Sequence, residues 1–218
     1  MLGKTGVFAV IPVKLLSDSK SRLSGILNPE QRRILTLFML EDVLAAIRSS
    51  ALVERILVVT PDVQVIRFAQ GLSVESIESS FGDLNRDLEF ALESCKVNQL
   101  GSALIVLADL PTLSVSDLRN IIETCLGNPS GVISPSGDGG TNVLLLHPCD
   151  LIRPNFGLGS FERHMEELRS KGSEVSVYRS EGTLLDIDSP KDVYKLLRRS
   201  SNSSPLKSLN YIQTIISK

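Results

Sequence analysis

The chain has 218 residues, of which 42% are hydrophobic and 22% charged, so it can bury one substantial core. Its net charge of −2 argues against nucleic acid or a membrane surface as a partner, because both attract strongly positive proteins. The 3 cysteines are widely spaced and form no CxxC motif, which argues against a disulfide framework or a thiolate zinc site. No apolar run is long enough to span a membrane, and we expect a soluble, cytoplasmic protein.

Short apolar runs alternate with amphipathic segments along most of the chain. We predict strands over 7–13, 55–60, 73–77, 103–107, 131–134, 143–146 and 174–178, and helices over 29–49, 63–70, 83–95, 116–126, 159–171 and 189–199. Near-continuous apolar strands are typical of a sheet that is covered on both faces. Because strand–helix–strand order favours parallel pairing, we predict a three-layer α/β/α sandwich around a doubly wound, mostly parallel mixed sheet.

The end of the chain differs from the rest. A Ser-rich break, SSNSSP, begins at residue 200, and an apolar pattern resumes over 206–216. We therefore predict a single domain over 1–199 and a C-terminal tail over 200–218 that either docks on the domain or takes part in a subunit contact. An apolar tail favours a homodimer, although it can also fold back onto its own chain.

The first predicted strand runs directly into a cationic loop, within the segment IPVKLLSDSKSRL at 11–23. This loop carries Lys14, Lys20 and Arg22. In open α/β sheets the ligand binds beyond the carboxyl ends of the strands, so these cations are candidates for holding phosphates. On its own, the cluster is equally consistent with a solvated surface.

Acidic residues follow two later segments. Asp109 stands where the strand at 103–107 stops, in LADLP, and Pro111 prevents the strand from continuing. Asp186 and Asp188 alternate in DIDSP, which places them on one face if the segment is extended. Oxygen ligands of this kind suit Mg²⁺, whereas a turn or helix cap is the alternative function for each of them.

Two Gly-rich segments complete the candidate site. SPSGDGGTN at 134–142 reads either as a hairpin or as a backbone cradle in which Thr141 and Asn142 donate hydrogen bonds to an anion. FGLGS at 156–160 precedes a helix, and its N–H groups and Ser160 hydroxyl could face a phosphate. His164 lies one turn later and could face the same ligand, but the pattern favours a surface histidine.

The chemistry of this set is that of charge neutralisation. It contains cations, carboxylates and Gly, Ser and Thr donors, with no Ser-His-Asp order and no nucleophilic cysteine context. Phosphoryl and nucleotidyl transfer need such groups, because the protein mainly positions the substrates around an in-line displacement.

In chain order, IPVKLLSDSKSRL, GDLN, LADLP, SPSGDGGTN, FGLGS and DIDSP resemble the 2-phospho-L-lactate guanylyltransferase family of coenzyme F(420) biosynthesis. The resemblance runs from about residue 6 to about residue 197. It implies a nucleotidyltransferase domain with a Rossmann-like fold of the nucleotide-diphospho-sugar transferase type. The chain departs from the family pattern at Asp83, inside the usual Gly-Leu-Asn segment, and at Asp186 and Asp188, where the family has a run with Glu.

The resemblance implies a Mg²⁺-dependent reaction in which GTP and 2-phospho-L-lactate give lactyl-2-diphospho-5′-guanosine and pyrophosphate. Related members accept phosphoenolpyruvate or 3-phosphoglycerate. Two other functions compete with this one: another nucleotidyltransferase, such as a sugar-phosphate type, and a non-catalytic GTP-binding protein. Metal-holding carboxylates are unnecessary for base recognition alone, which argues against the second.

The resemblance also implies roles for individual residues. Those implied for the triphosphate and catalysis are Lys14, Lys20 and Arg22, with Asp109 as a further catalytic group. Mg²⁺ is implied at Asp109, Asp186 and Asp188, and the nucleoside near Thr60, Pro61 and Asn85. The implied phospho-acid pocket consists of Thr141, Gly157, Gly159 and Ser160.

Overall fold

Within the residues that the structure describes, seven strands form one sheet in the order β3-β2-β1-β4-β6-β5-β7. The computed structural model describes residues 6–97, 101–125, 130–198 and 206–216. The strands are β1 Val7–Pro12, β2 Arg55–Thr60, β3 Glu75–Glu78, β4 Ser102–Val106, β5 Ser130–Pro135, β6 Thr141–His147 and β7 Glu174–Val177. All the predicted strands are present, with ends that differ by a few residues.

The helices are α1 Pro29–Ser50, α2 Val63–Gly71, α3 Leu84–Val97, α4 Val115–Thr124, α5 Ser160–Ser170, α6 Glu181–Leu184, α7 Pro190–Arg198 and α8 Lys207–Ile216. The short α6 and a 3₁₀ turn at Ser21–Leu23 were not predicted. Residues 126 and 199, to which predicted helices extended, lie outside the described residues. Within the described ranges, no helix combines the length and apolar character needed to cross a membrane.

Of the strands described, only β6 runs antiparallel to its neighbours. It is antiparallel to β4 and β5, whereas the other paired strands are parallel. The prediction of a mostly parallel mixed sheet is confirmed. Strands β2 and β3 are added on one side of β1 and β4 on the other, so the order of the strands along the sheet reverses at β1. The carboxyl ends of β1 and β4 and the amino end of β6 therefore meet at one edge, where a ligand crevice is expected.

Alternation along the fully buried β1 divides the core into two layers. Ala9 and Ile11 pack in a cluster with side chains of α1, α2 and α4, whereas Phe8 and Val10 pack with side chains of α3 and α5. Helices thus cover both faces of the sheet, as the apolar strands predicted.

Helix α1 begins as its sequence indicates and carries a second apolar face. Asn28 caps it in a reciprocal capping box with Gln31, and Pro29 occupies its first turn. Leu35 and Met39 pack in a third cluster with side chains of α7 and α8.

The C-terminal helix α8 docks on its own chain. The Asp42 carboxylate of α1 accepts hydrogen bonds from the backbone N–H groups of Lys207, at 2.8 Å, and Ser208, at 3.0 Å, in the first turn of α8. Leu209 and Ile212 are buried against α1 and α7. Because these apolar side chains are buried within the monomer, they do not support the homodimer that was inferred from an apolar tail. The homodimer stays a prediction.

Candidate active site

A cleft of about 420 Å³ opens at the edge of the sheet where β1 and β4 end. It is lined by groups from the cationic loop, from the end of β4, from both Gly-rich segments and from the DIDSP segment. Of the predicted site residues, the lining includes Lys14, Lys20, Arg22, Asp109, Thr141, Gly157, Asp186 and Asp188. Segments that are far apart in sequence therefore meet in one place.

Lys20 forms the centre of this site. Its Nζ lies 2.8 Å from Asp109 Oδ2 and 2.7 Å from Asp188 Oδ1, and its side chain is only 8% exposed. Burial disfavours the ammonium, but the two carboxylates outweigh burial and raise the pKa of Lys20. Lys20 is therefore a buried ion-pair partner, and the solvated-surface interpretation is wrong for this residue.

Hydrogen bonds hold the loop that carries Lys20 in place. The backbone N–H of Leu16 donates to Asp62 Oδ2 at 2.9 Å, and the Thr36 hydroxyl of α1 donates to Ser19 Oγ at 3.1 Å. Lys20 itself has a left-handed φ of 52°, a conformation that costs about 1 kcal/mol for a residue with a Cβ. The ion pairs offset this cost.

The other two cations of the loop, Lys14 and Arg22, are exposed at the wall of the cleft. Arg22 faces Asp138 of the SPSGDGGTN segment. The pKa of Asp138 is lowered, first by the hydrogen bond from Ser136 Oγ and in smaller part by the charge of Arg22. Arg22 and Lys14 are thus placed to meet an anion that enters from solvent.

The DIDSP segment reaches Asp109 through a backbone contact. The N–H of Ile187 donates to the carbonyl oxygen of Asp109 at 3.1 Å, which sets Asp186 and Asp188 beside the end of β4. Neither aspartate caps α7, since Asp192 accepts the hydrogen bonds of Ser189 at that helix start. Asp188 instead pairs with Lys20.

Negative charge exceeds positive charge at this point. Burial, together with the charges of Asp109 and Asp188, raises the pKa of Asp186. Asp109 Oδ1 is buried and has no hydrogen-bond partner among the residues that the structure describes. Within the described parts of the chain, no three His, Cys, Asp or Glu side chains form a ready-made metal cluster; Lys20 stands between two of these carboxylates. The arrangement can accept a further cation.

Asp186→Asn is expected to raise the melting temperature of the metal-free protein by about 2 °C, because it removes a half-buried charge that faces other carboxylates. Since the pKa of Asp186 is raised in the folded state, ionisation destabilises the fold above about pH 4, where an unfolded Asp ionises, and the effect vanishes below that pH. Melting curves in EDTA at about pH 4 and about pH 7.5 measure this. An equal gap at both pH values would contradict it.

The SPSGDGGTN segment is a hairpin that also lines the cleft. It connects β5 to β6, and Ser136, Asp138 and Gly140 face the cavity. A Cβ on Gly140 would lie 2.7 Å from Ser136 Oγ, so a side chain here would displace the Ser136 hydroxyl. The hairpin interpretation is confirmed and the segment also forms part of the cavity wall, whereas its predicted binding of an anion stays a prediction.

The FGLGS segment is fixed from two sides. Asn85 of α3 accepts from the Phe156 N–H at 2.6 Å and donates to the Phe156 carbonyl at 3.2 Å. Arg163 donates to the Leu158 carbonyl at 2.6 Å. The left-handed φ values of 124° at Gly157 and 70° at Gly159 favour glycine at both positions.

Some of the predicted nucleoside and phospho-acid residues line the cleft, and others do not. Thr141 and Gly157 line the cleft. Thr60 is fully buried and accepts from the Asp62 N–H at 3.1 Å, and Pro61 follows it at the end of β2. Asn85 holds Phe156, as described above, while its neighbour Leu84 lines the cleft. The nucleoside assignment stays a prediction.

Ser160 and His164 lie behind the cavity wall. Ser160 is fully buried at the start of α5, after Gly159, and its hydroxyl donates to Thr141 Oγ1 at 3.1 Å. His164 is also fully buried, so the surface interpretation of this histidine is wrong. Their spacing of one helical turn, which puts both on one face of α5, is the signal that indicated a shared location.

The sequence matches the family model described as "Guanylyl transferase CofC like" over residues 7–217. A Rubrobacter xylanophilus protein named phosphoenolpyruvate guanylyltransferase is 38% identical over 191 residues, 87% of this chain and 93% of the relative. A Methanothermobacter thermautotrophicus protein named 2-phospho-L-lactate guanylyltransferase is 34% identical over 190 residues, 87% of this chain and 83% of the relative.

A solved structure shares the fold. It is a "putative nucleotide-diphospho-sugar transferase" from Desulfovibrio desulfuricans, with a TM-score of 0.80 at 17% identity, covering 97% of this chain and 95% of that one. This likeness confirms the predicted fold type. The extent of the family match and the identity of the relatives show that this chain belongs to the CofC-like guanylyl transferase family.

Proposed function

We propose that this protein transfers the guanylyl group of GTP to 2-phospho-L-lactate, giving lactyl-2-diphospho-5′-guanosine and pyrophosphate, a step of coenzyme F(420) biosynthesis. The observation that carries the proposal is the buried Lys20 between Asp109 and Asp188 in the cleft. Family membership supports the same reaction class. We further propose that the enzyme is cytoplasmic and works as a homodimer.

In the proposed reaction, a phosphate oxygen of the phospho-acid attacks the α-phosphorus of GTP. A bond forms between them, and the bond from the α-phosphorus to the bridging oxygen of the β-phosphate breaks, so that pyrophosphate leaves with its electron pair. The attacking phosphate is mostly dianionic at neutral pH, because its second pKa is about 6. The reaction therefore needs no side-chain base, consistent with a cleft built from cations, carboxylates and neutral donors.

The acidic residues fit Mg²⁺. The evidence is the unpartnered, buried Asp109 Oδ1 and an excess of carboxylate over cationic charge in the half-buried group formed with Asp186 and Asp188. These three residues would hold the ion. When bound, it would offset the negative charge that accumulates at the α-phosphate during displacement.

The cationic loop supplies the opposing charge. We assign Lys14, Lys20 and Arg22 to the triphosphate and the leaving pyrophosphate, because all three line the cleft. Lys20 is the strongest candidate for stabilising the charge of these phosphates, since a buried ammonium acts on a nearby phosphate with little screening. The exposed Lys14 and Arg22 act mainly in attracting and holding GTP.

Phosphoenolpyruvate is a second candidate acceptor. The relative from Rubrobacter xylanophilus carries that substrate in its name and is the more similar of the two relatives described above. Both acids have three carbons, a carboxylate and a phosphate on the second carbon. Thr141 and Gly157 would form a pocket of hydroxyl and backbone donors, and such a pocket can accept either acid.

Competition between acids tests this assignment. The purified enzyme is incubated with GTP, Mg²⁺ and equal amounts of 2-phospho-L-lactate, phosphoenolpyruvate and 3-phosphoglycerate, and the products are identified by mass spectrometry. We expect the 2-phospho-L-lactate adduct to dominate. A dominant phosphoenolpyruvate adduct would establish the second candidate, and a dominant 3-phosphoglycerate adduct, or no adduct with any of the three acids, would contradict both.

A further inference from the structure

A buried histidine stands directly behind the cavity wall. His164 is fully buried on α5. Its Nδ1 lies 3.0 Å from Thr141 Oγ1, and its Nε2 lies 3.0 Å from the backbone nitrogen of Asn155. The ring packs edge-on against Phe156, with the centroids 5.0 Å apart. Both ring nitrogens are therefore engaged and the ring plane is fixed.

These partners determine the tautomer. A backbone N–H can only donate, so Nε2 of His164 accepts from Asn155 and carries no proton. Burial, and then the charge of Arg163, lowers the pKa of His164 to about 4, so the imidazole is neutral at physiological pH. The single ring proton is consequently on Nδ1, which donates to Thr141 Oγ1.

Thr141 receives a second hydrogen bond on the same oxygen. The Ser160 hydroxyl donates to Thr141 Oγ1 at 3.1 Å. A hydroxyl oxygen has two lone pairs, and His164 and Ser160 together occupy both. The proton of the Thr141 hydroxyl is then left to donate elsewhere, and Thr141 lines the cleft.

We propose that His164 is a positioning residue: with Ser160 it occupies both lone pairs of Thr141, which fixes the Thr141 hydroxyl as a hydrogen-bond donor to the phospho-acid. This rests on the proposed function, because it assigns the ligand of Thr141 to the phospho-acid. It gives His164 and Ser160 no contact with the substrate. The prearranged donor selects an anionic acceptor, and it needs no reorientation when the substrate binds.

The tautomer can be measured without any turnover. The chain has only 2 histidines, so long-range ¹H–¹⁵N NMR spectra of the full-length protein can separate them, with His164→Asn for assignment. We expect His164 as the neutral Nδ1–H form at neutral pH. A neutral Nε2–H form, or a protonated ring at that pH, would overturn the proposal whether or not the guanylyltransferase assignment holds.

Kinetics test the link to the substrate. His164→Leu is expected to raise the KM for the phospho-acid about tenfold and to leave the KM for GTP within about twofold. His164→Asn keeps a donor near the Nδ1 position and should recover most of the loss. Thr141→Val should match His164→Leu, and combining the two should add nothing, because His164 acts on the phospho-acid only through the Thr141 hydroxyl.

His147 provides the matched control. It lies at the other end of β6, and its Nδ1 is 3.0 Å from Ser102 Oγ, outside the cleft. His147→Leu should change neither KM. Equal increases in both KM values for His164→Leu, or additive effects with Thr141→Val, would overturn the positioning role. Absence of any wild-type turnover would instead contradict the proposed function, and the NMR result would still decide the tautomer.

Discussion

Asp109→Asn is expected to lower the turnover number by about a thousandfold or more while the protein stays folded. Asp109 combines a buried, unpartnered Oδ1 with an Oδ2 bound to Lys20, so one residue contributes to both the proposed cation site and the ion pair. Asparagine has the same shape but no charge. Pyrophosphate release at saturating GTP, phospho-acid and Mg²⁺ measures the effect.

Two further measurements make the Asp109 result specific. The melting temperature of the variant should stay within a few degrees of that of the wild type, which separates lost chemistry from lost folding. Asp150→Asn is the matched control, because Asp150 is exposed in a turn and does not line the cleft; it should keep full activity. Normal turnover by folded Asp109→Asn would contradict the proposed metal site.

Lys20→Met is expected to reduce kcat/KM for GTP at least about a hundredfold. Methionine keeps an unbranched chain of similar length but removes the charge assigned to the triphosphate. It also leaves Asp109 and Asp188 without their shared cation. Loss of a fully buried ion-pair partner costs about 3–5 kcal/mol. We expect about 2 kcal/mol here, because the Asp188 side chain is 42% exposed and partly solvated.

Initial rates at varied GTP and a melting curve measure the two effects of Lys20→Met. The stability loss should appear as a melting temperature about 4–8 °C lower, and Mg²⁺ should restore part of it. Lys195→Met is the control, since Lys195 pairs with Asp192 at an exposed surface. Wild-type kinetics for Lys20→Met would contradict the assignment of Lys20 to the triphosphate.

The strand ends were predictable because local signals mark them. Asp109 follows an apolar run and precedes a proline by two residues, and both facts are visible without a structure. The start of α1 was predictable in the same way, from Asn28 and Pro29. Residues at the ends of parallel strands share one edge of the sheet, so the rough location of the site followed from the fold class.

The partners of those residues were not predictable, because they depend on long-range packing. Lys20 pairs with residues that are 89 and 168 positions away, and no periodicity reports such a contact. His164 looked like a surface residue because its burial depends on Asn155 and Phe156, which a separate contact from Asn85 holds in place. The four-residue α6 is too short to leave a helical period.

The fate of the phosphorus atoms of GTP tests the central claim most directly. GTP labelled with ³²P in the α-phosphate, and separately in the γ-phosphate, is incubated with the purified enzyme, Mg²⁺ and 2-phospho-L-lactate. We predict that the α label enters the adduct with the acid and that the γ label leaves as pyrophosphate. Release of the γ label as inorganic phosphate, or binding of GTP without transfer of either label, would contradict a guanylyltransferase.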